Sequence, residues 1–262
     1  MRPAGIATAL YGWMERYRRD GVDWDWRLLY SACAAAGVAA VETDPQPDKV
    51  AILQDLGLGV SGSYLGLPLT DPEPLDLRAT VLPLAERLAA VGGRTLTVNA
   101  DPRPGGAART REDARREGER LSALAALVQP LGLRVAVHNH ADRHDDATLD
   151  LDAVVRYADE AVGLCIDAHW AAVARHDPVR WATEHAPRVF GLHLRNGRGP
   201  VPTEDLLEGD VDVPALLAAL PGYDGWLTLE LWHPGSMTPE RSMEEDTRRA
   251  VDVLRTLLAS AA

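Results

Sequence analysis

The sequence predicts a single α/β domain folded as a (β/α)8 barrel. Three observations predict it. Eight short apolar runs alternate with eight helix-like stretches, the pattern of parallel strands joined by crossover helices. The repeat is about 33 residues per strand–helix pair, and ~250 residues is the usual size of such a barrel. No linker or low-complexity stretch divides residues 1–262, so the whole chain is taken as one domain. An open doubly wound sheet would want a glycine-rich phosphate loop after its first strand, and Leu10-Tyr11-Gly12-Trp13 offers none.

Each element follows from local signals. Strands are read at 5–10, 39–42, 60–64, 94–99, 133–138, 163–167, 189–194 and 225–230, where apolar residues run on until a polar one ends the segment. Strands covered on both faces read as such continuous runs. Helices are expected over 25–36, 48–56, 75–91, 112–129, 151–161, 178–185, 213–220 and 240–258. Two of them carry explicit start signals. Asp177-Pro178 and Thr238-Pro239 each set a capping side chain before a proline at the first helical position.

Composition narrows the function classes. Hydrophobic residues at 46% and charged residues at 25% suit a globular protein. No apolar run approaches the ~18 residues of a membrane span. The net charge of −12 repels phosphate backbones and argues against a nucleic-acid partner. Cys33 and Cys165 lie in apolar stretches and are read as buried thiols of a reducing compartment. The N-terminus runs into Tyr11-Gly12-Trp13 with no cleavage region, so no signal peptide is read and a cytoplasmic location is expected. Lys49 is the only lysine and falls in a Pro-rich connector, so Schiff-base chemistry is set aside.

In a barrel of this kind the active site lies at the C-terminal ends of the strands. The polar strand endings are Glu42, Asn99, His138 with His140, Asp167, His193 and Glu230. His138 and His140 are two apart and so point to one face of their strand. A single histidine at a strand end is more often structural, and Asp167 alone would serve as a helix cap. The combination over four consecutive strands is different, because carboxylates and imidazoles gathered without a cation are costly. Such a set suits one divalent ion, Mn²⁺, Co²⁺, Zn²⁺ or Fe²⁺.

These residues resemble a known family. His138-Asn139-His140, Ile166-Asp167-Ala168-His169-Trp170, Asp177-Pro178, His193-Leu194-Arg195-Asn196, Tyr223-Asp224-Gly225-Trp226 and Glu230 are similar to motifs of the xylose isomerase-like TIM barrel superfamily. That group comprises sugar isomerases and epimerases and includes inosose dehydratase and endonuclease IV. The resemblance implies metal ligands at His138, Asp167, His193 and Glu230. His140 is then a second polar group, a substrate contact, or the ligand in place of His138. The family's Lys-Asp after the seventh strand is Arg195-Asn196 here. Many members place a glutamate where His138 stands, so only Glu230 remains of the pair of glutamates that transfers protons in such enzymes. A His–Glu pair still does acid–base work near neutral pH.

The expected activity is a metal-dependent isomerase or epimerase acting on a sugar, keto-sugar or cyclitol, with Glu230, His138 and His140 as the catalytic groups. A lyase or dehydratase using the same site, and a non-catalytic sugar-binding barrel, are the alternatives. Trp13, Tyr64, Trp170 and Trp232 are expected to face the substrate, with Glu42, Asn99 and Arg195 binding its hydroxyls. Trp24, Trp26, Trp181 and Trp226 are assigned to packing or surface. The expected partner is a sugar-like small molecule, with no nucleic acid and no membrane, and self-association into a homo-oligomer is compatible with this reading. A nuclease of the endonuclease IV type would need further histidines on strands two to four, where Glu42, Tyr64 and Asn99 stand.

Overall fold

A computed structural model describes residues 1–103, 106–141, 146–231 and 237–260. In chain order the elements begin β1 (Gly5–Ala9), α1 (Tyr11–Asp20), α2 (Trp26–Ala35), β2 (Ala40–Glu42), α3 (Pro47–Asp55), β3 (Gly59–Leu67), α4 (Leu77–Ala90), β4 (Thr95–Ala100), α5 (Arg111–Val128) and β5 (Arg134–His138). They continue α6 (Asp146–Asp152), β6 (Val162–Asp167), α7 (Ala168–Val173), α8 (Pro178–Glu184), β7 (Val189–Leu194), β8 (Gly197–Arg198), β9 (Val201–Pro202), α9 (Val213–Ala218), β10 (Trp226–Leu229) and α10 (Met243–Ser260). Strands β1 to β7 and β10 close into a parallel barrel, β10 pairing with both β7 and β1. The predicted (β/α)8 barrel is the observed one.

The core lies in the seam between barrel and helices. Leu29, Leu53, Leu88, Leu96, Leu121, Leu124 and Ile166 are all less than 3% exposed. Each contributes about 1.5–3 kcal/mol on burial, against about 1 kcal/mol for a helix cap. Closure is therefore driven by the core, while caps set where helices start. Asp25, Asp76, Asp177 and Asp212 accept backbone N–H bonds at the starts of α2, α4, α8 and α9. Thr110 and Asp113 form a reciprocal capping box at α5.

Four features differ from the sequence expectation. Helix α1 was not expected, and no side-chain cap hydrogen bond marks its start at Leu10. It forms because Trp13 and Arg16 are buried on one face, and it stops at Gly21, whose φ of 67° is the left-handed conformation of a C-terminal glycine. The short α7 is capped by Asp167 itself, whose carboxylate accepts from Trp170 N at 2.7 Å. The helix expected over 151–161 begins earlier, as α6, and passes into a π-helical turn, Ala153–Tyr157. That turn lies against Gly118 of α5, where an added Cβ would stand 2.5 Å from Tyr157 Cβ and 2.6 Å from the Ala153 carbonyl oxygen. Finally, Thr238-Pro239 does not start α10. The helix begins at Met243, and Ser242 Oγ accepts from Glu245 N at 3.1 Å.

After β7 the chain makes the small β8–β9 hairpin. Asn196 organises the segment that follows. Its amide donates to the Leu206 and Val211 carbonyls at 3.0 and 2.9 Å, and its oxygen accepts from Gly197 N and Val211 N. Both cysteines are buried free thiols. Among the described residues no helix is long and apolar enough to cross a membrane.

Candidate active site

Strand register gathers the polar endings at one mouth of the barrel. Asp167 pairs with His193 across β6–β7, and His193 pairs with Thr228 across β7–β10. Side chains alternate along a strand, so Glu230, two residues beyond Thr228, returns to the face that His193 uses. His138 pairs with Cys165, two residues before Asp167. Four strands thus deliver their last inward-facing side chains to one small volume.

Glu230 is the hub. Its Oε2 lies 2.5 Å from His193 Nδ1 and 3.2 Å from His138 Nε2. His138, His193 and Glu230 offer ligand atoms that all lie within 4.8 Å of one another. Two imidazoles and a carboxylate, all buried, make a borderline donor set that fits a divalent transition ion. His138 Nδ1 and His193 Nε2 are buried with no hydrogen-bond partner among the described residues. His193 Nε2 stands 3.3 Å from Glu42 Oε2, the position of an orienting carboxylate behind a ligating histidine. Glu42 is itself held by Thr97 Oγ1, which donates to its Oε1 at 2.7 Å.

Electrostatics follow the geometry. Burial alone would push the His138 imidazole down, but its hydrogen bonds to Asp167 and Glu230 outweigh it and leave it raised. His193 is also opposed by burial, yet the Cys165 sulfur and the Glu42 and Glu230 carboxylates hold it well above its ordinary value. Burial would raise Glu230, and the facing His193 and His138 pull it well below the carboxylate range. His140 goes the other way. Burial and the neighbouring His138 push it down to about 4, so it is neutral at physiological pH.

Asp167, expected beside the other three, lies at the edge of the convergent group, against His138 and held by Arg195. It lies 3.5 Å from His138 Nε2, but Arg195 takes its Oδ2 from Nε and Nη2, each at 2.9 Å. Against the burial that would raise it, Arg195 and His138 bring the Asp167 carboxyl down to about 2. Between the two strand-5 histidines, His138 is the one in the convergent group. His140 packs against it with ring centroids 4.6 Å apart, its Nε2 is 3.5 Å from Tyr64 Oη, and its backbone N donates to Asp150 Oδ2 at 3.0 Å.

A cavity of about 540 Å³ opens over this group, lined by Glu42, Tyr64, His140, Trp170, His193 and Glu230 among others. Three expected substrate contacts are placed elsewhere. Trp13 is fully buried in the core and donates to Thr8 Oγ1, because α1 turns its side chain inward. Asn99 directs its amide to the Ala100 carbonyl. Arg195 is 1% exposed and lies beneath Trp170, its guanidinium 4.8 Å from the ring centre. Trp232 lies outside the described residues. Sequence reasoning also missed lining residues. Tyr11 and Met14 come from the unexpected α1, one helical turn apart. Trp26, assigned to packing or surface, and Lys49, set aside, both face the cavity. The Gln46-Pro47 start of α3 was the available signal for Lys49.

Comparison with known proteins agrees with this architecture. Residues 30–257 match the family model of the xylose isomerase-like TIM barrel. A 133-residue segment is 29% identical to the rhizopine catabolism protein MocC of Rhizobium meliloti, covering 43% of this chain and 41% of MocC, so the match spans less than half of that relative. A sugar phosphate isomerase/epimerase from Parabacteroides distasonis shares the fold with a TM-score of 0.72 at 16% identity, over 97% of this chain and 94% of that one. An L-ribulose 3-epimerase gives 0.72 at 18% identity, over 98% and 95%. A D-allulose 3-epimerase from Methylomonas sp., in complex with D-allulose, gives 0.66 at 18%, over 98% of each chain. At these identities the structures speak for the fold. The family match over most of the length, on a closed parallel barrel with its polar endings at one mouth, places this chain in the xylose isomerase-like TIM barrel family, among structural neighbours that are sugar isomerases and epimerases.

Proposed function

We propose that the protein is a divalent-metal-dependent isomerase or epimerase acting on a sugar, keto-sugar or cyclitol by proton transfer next to a carbonyl. One observation carries the reading: Glu230 touches both His138 and His193 at the floor of a cavity large enough for such a substrate. His138, His193 and Glu230 would hold the ion, with Asp167 at their edge. The bound ion supplies Lewis acidity, polarising a substrate carbonyl or hydroxyl pair and acidifying the neighbouring C–H.

The chain's own groups do the rest. Glu230 accepts the proton from carbon and returns it to the neighbouring carbon, with His138, 3.2 Å away, holding the carboxylate in place. Neutral His140 and the Tyr64 hydroxyl form a hydrogen-bonding edge for substrate hydroxyls. Trp170 offers an apolar face to a sugar's C–H groups. The ion pair between Asp167 and Arg195 fixes the wall behind His138. A second reading, a lyase, is favoured by His138 itself. A strand-end imidazole beside a carboxylate base gives the site a second acid–base group, which suits loss of a leaving group as well as proton return.

The test uses candidate ketoses and cyclitols in D₂O with added Mn²⁺ or Co²⁺. Deuterium entering the carbon next to the carbonyl with no loss of mass supports isomerisation or epimerisation, and loss of water supports the lyase. Glu230→Gln is expected to slow exchange by about 10²–10⁴-fold. Exchange that persists in this variant at the wild-type rate overturns the assignment.

A further inference from the structure

We propose that the cavity contains a carboxylate-recognition subsite built on Lys49, so that the substrate is an acidic sugar carrying one carboxylate away from its reacting carbonyl. This rests on the isomerase reading for the reacting end and names the chemistry of the other end.

Lys49 is the one lysine among 27 basic residues. It stands in the first turn of α3, half-buried, and lines the same cavity as His193 and Glu230. Its ammonium sits 4.0 Å from the centre of the Trp26 ring. That ring is held in turn, stacked on Tyr30 at 5.6 Å and met edge-on by Trp24 at 5.3 Å. The indole face therefore fixes the ammonium against a rigid wall.

Charge matching singles it out. The carboxylates lining the cavity are already engaged. Asp44 is paired with Arg87 at 2.9 Å and accepts from Gln46 at 2.8 Å. Glu42 is taken by Thr97 and faces His193, and Glu230 is shared by His138 and His193. Lys49 has no carboxylate within ion-pair distance among the described residues, so the unmatched charge in the cavity wall is positive. A single ammonium is a compact point charge that matches one carboxylate. A phosphate dianion would bring two charges to that one cation. The arginine fork that favours phosphate is absent too, since Arg87 is occupied by Asp44.

The experiment measures binding of D-fructose, D-fructuronate and D-fructose 6-phosphate to the Mn²⁺-loaded protein by calorimetry. The three probes differ only at carbon 6. D-fructuronate is expected to bind about tenfold more tightly than D-fructose, the scale of one charge-assisted hydrogen bond. Lys49→Met is expected to bring that ratio to about one, and Lys49→Arg to keep part of it, with circular dichroism and Mn²⁺ affinity confirming that both variants are folded. Equal binding of fructose and fructuronate, no binding of any probe, or a preference that survives Lys49→Met overturns the subsite. Tightest binding of fructose 6-phosphate overturns the carboxylate assignment. Carboxylate preference without deuterium exchange would remove the isomerase reading alone, and exchange without the preference would remove the subsite alone.

Discussion

At the scale of single residues, the site is defined by which carboxylate meets which base. Glu230 is shared by two imidazoles, whereas Asp167 is claimed by Arg195. The consequence for metal binding has a definite sign. His138 and His193 are both raised above the ordinary value of 6.5, so without metal they keep their protons to higher pH than a free imidazole, and an incoming ion competes with those protons. Apparent Mn²⁺ affinity is therefore expected to rise with pH through and above 6.5, by up to about tenfold per pH unit for each displaced proton. Calorimetric titration across that range checks it, and an affinity flat with pH would remove the histidines as ligands. The Asp167–Arg195 pair is 0% and 1% exposed. Breaking such a pair strands a buried charge, so Arg195→Ala is expected to cost about 3–5 kcal/mol in urea denaturation. A loss below about 1 kcal/mol would mean that Asp167 finds another partner.

At the scale of elements, one helix brings groups to the site that no local signal announces. Helix α1 has no side-chain cap and exists because Trp13 and Arg16 need burial, yet it delivers Tyr11 and Met14 to the cavity. Behind strand β5, α5 and the π turn approach so closely that Gly118 has no room for a methyl group. Helix propensity favours Gly118→Ala by about 1 kcal/mol. Overpacking against the Tyr157 Cβ and the Ala153 carbonyl is expected to reverse that, for a net loss of about 1–3 kcal/mol. A shift of the urea midpoint to lower concentration at unchanged slope confirms the loss, and a stabilised variant would show that the two helices separate easily. The loop after β7 has a different anchor. Asn196 stands where the family motif has a carboxylate, and its amide is spent on four backbone bonds within the segment, so this position serves loop architecture.

At the scale of the whole molecule, the candidate ligands come from β5, β7 and the residue after β10, three parts of the closed ring. An ion bound there ties distant segments of the chain together and binds the folded state in preference to the unfolded one. Mn²⁺ or Co²⁺ at 100 times its dissociation constant is expected to stabilise the protein by about 2.7 kcal/mol, a rise in Tm of roughly 5–10 °C that a chelator reverses. Thermal denaturation with and without each ion measures it, and no shift with either ion would favour a barrel that binds without metal.

Barrel closure, the strand order around it and the identity of the polar strand endings were legible in the sequence, because burial on both faces makes parallel strands apolar until their last residue. His138, His193 and Glu230 were readable for that reason: each is a polar residue within one position of the end of such a run. The sequence could not show that Arg195 would capture Asp167, that Trp13 would point into the core, or that Trp26 and Lys49 would complete the cavity wall. Those outcomes depend on side-chain direction and on contacts between residues far apart in the chain, which periodicity does not encode. Residue type and strand period determined which groups reach the barrel mouth, and only the packed tertiary structure decided which of them pair with one another and which face the cavity.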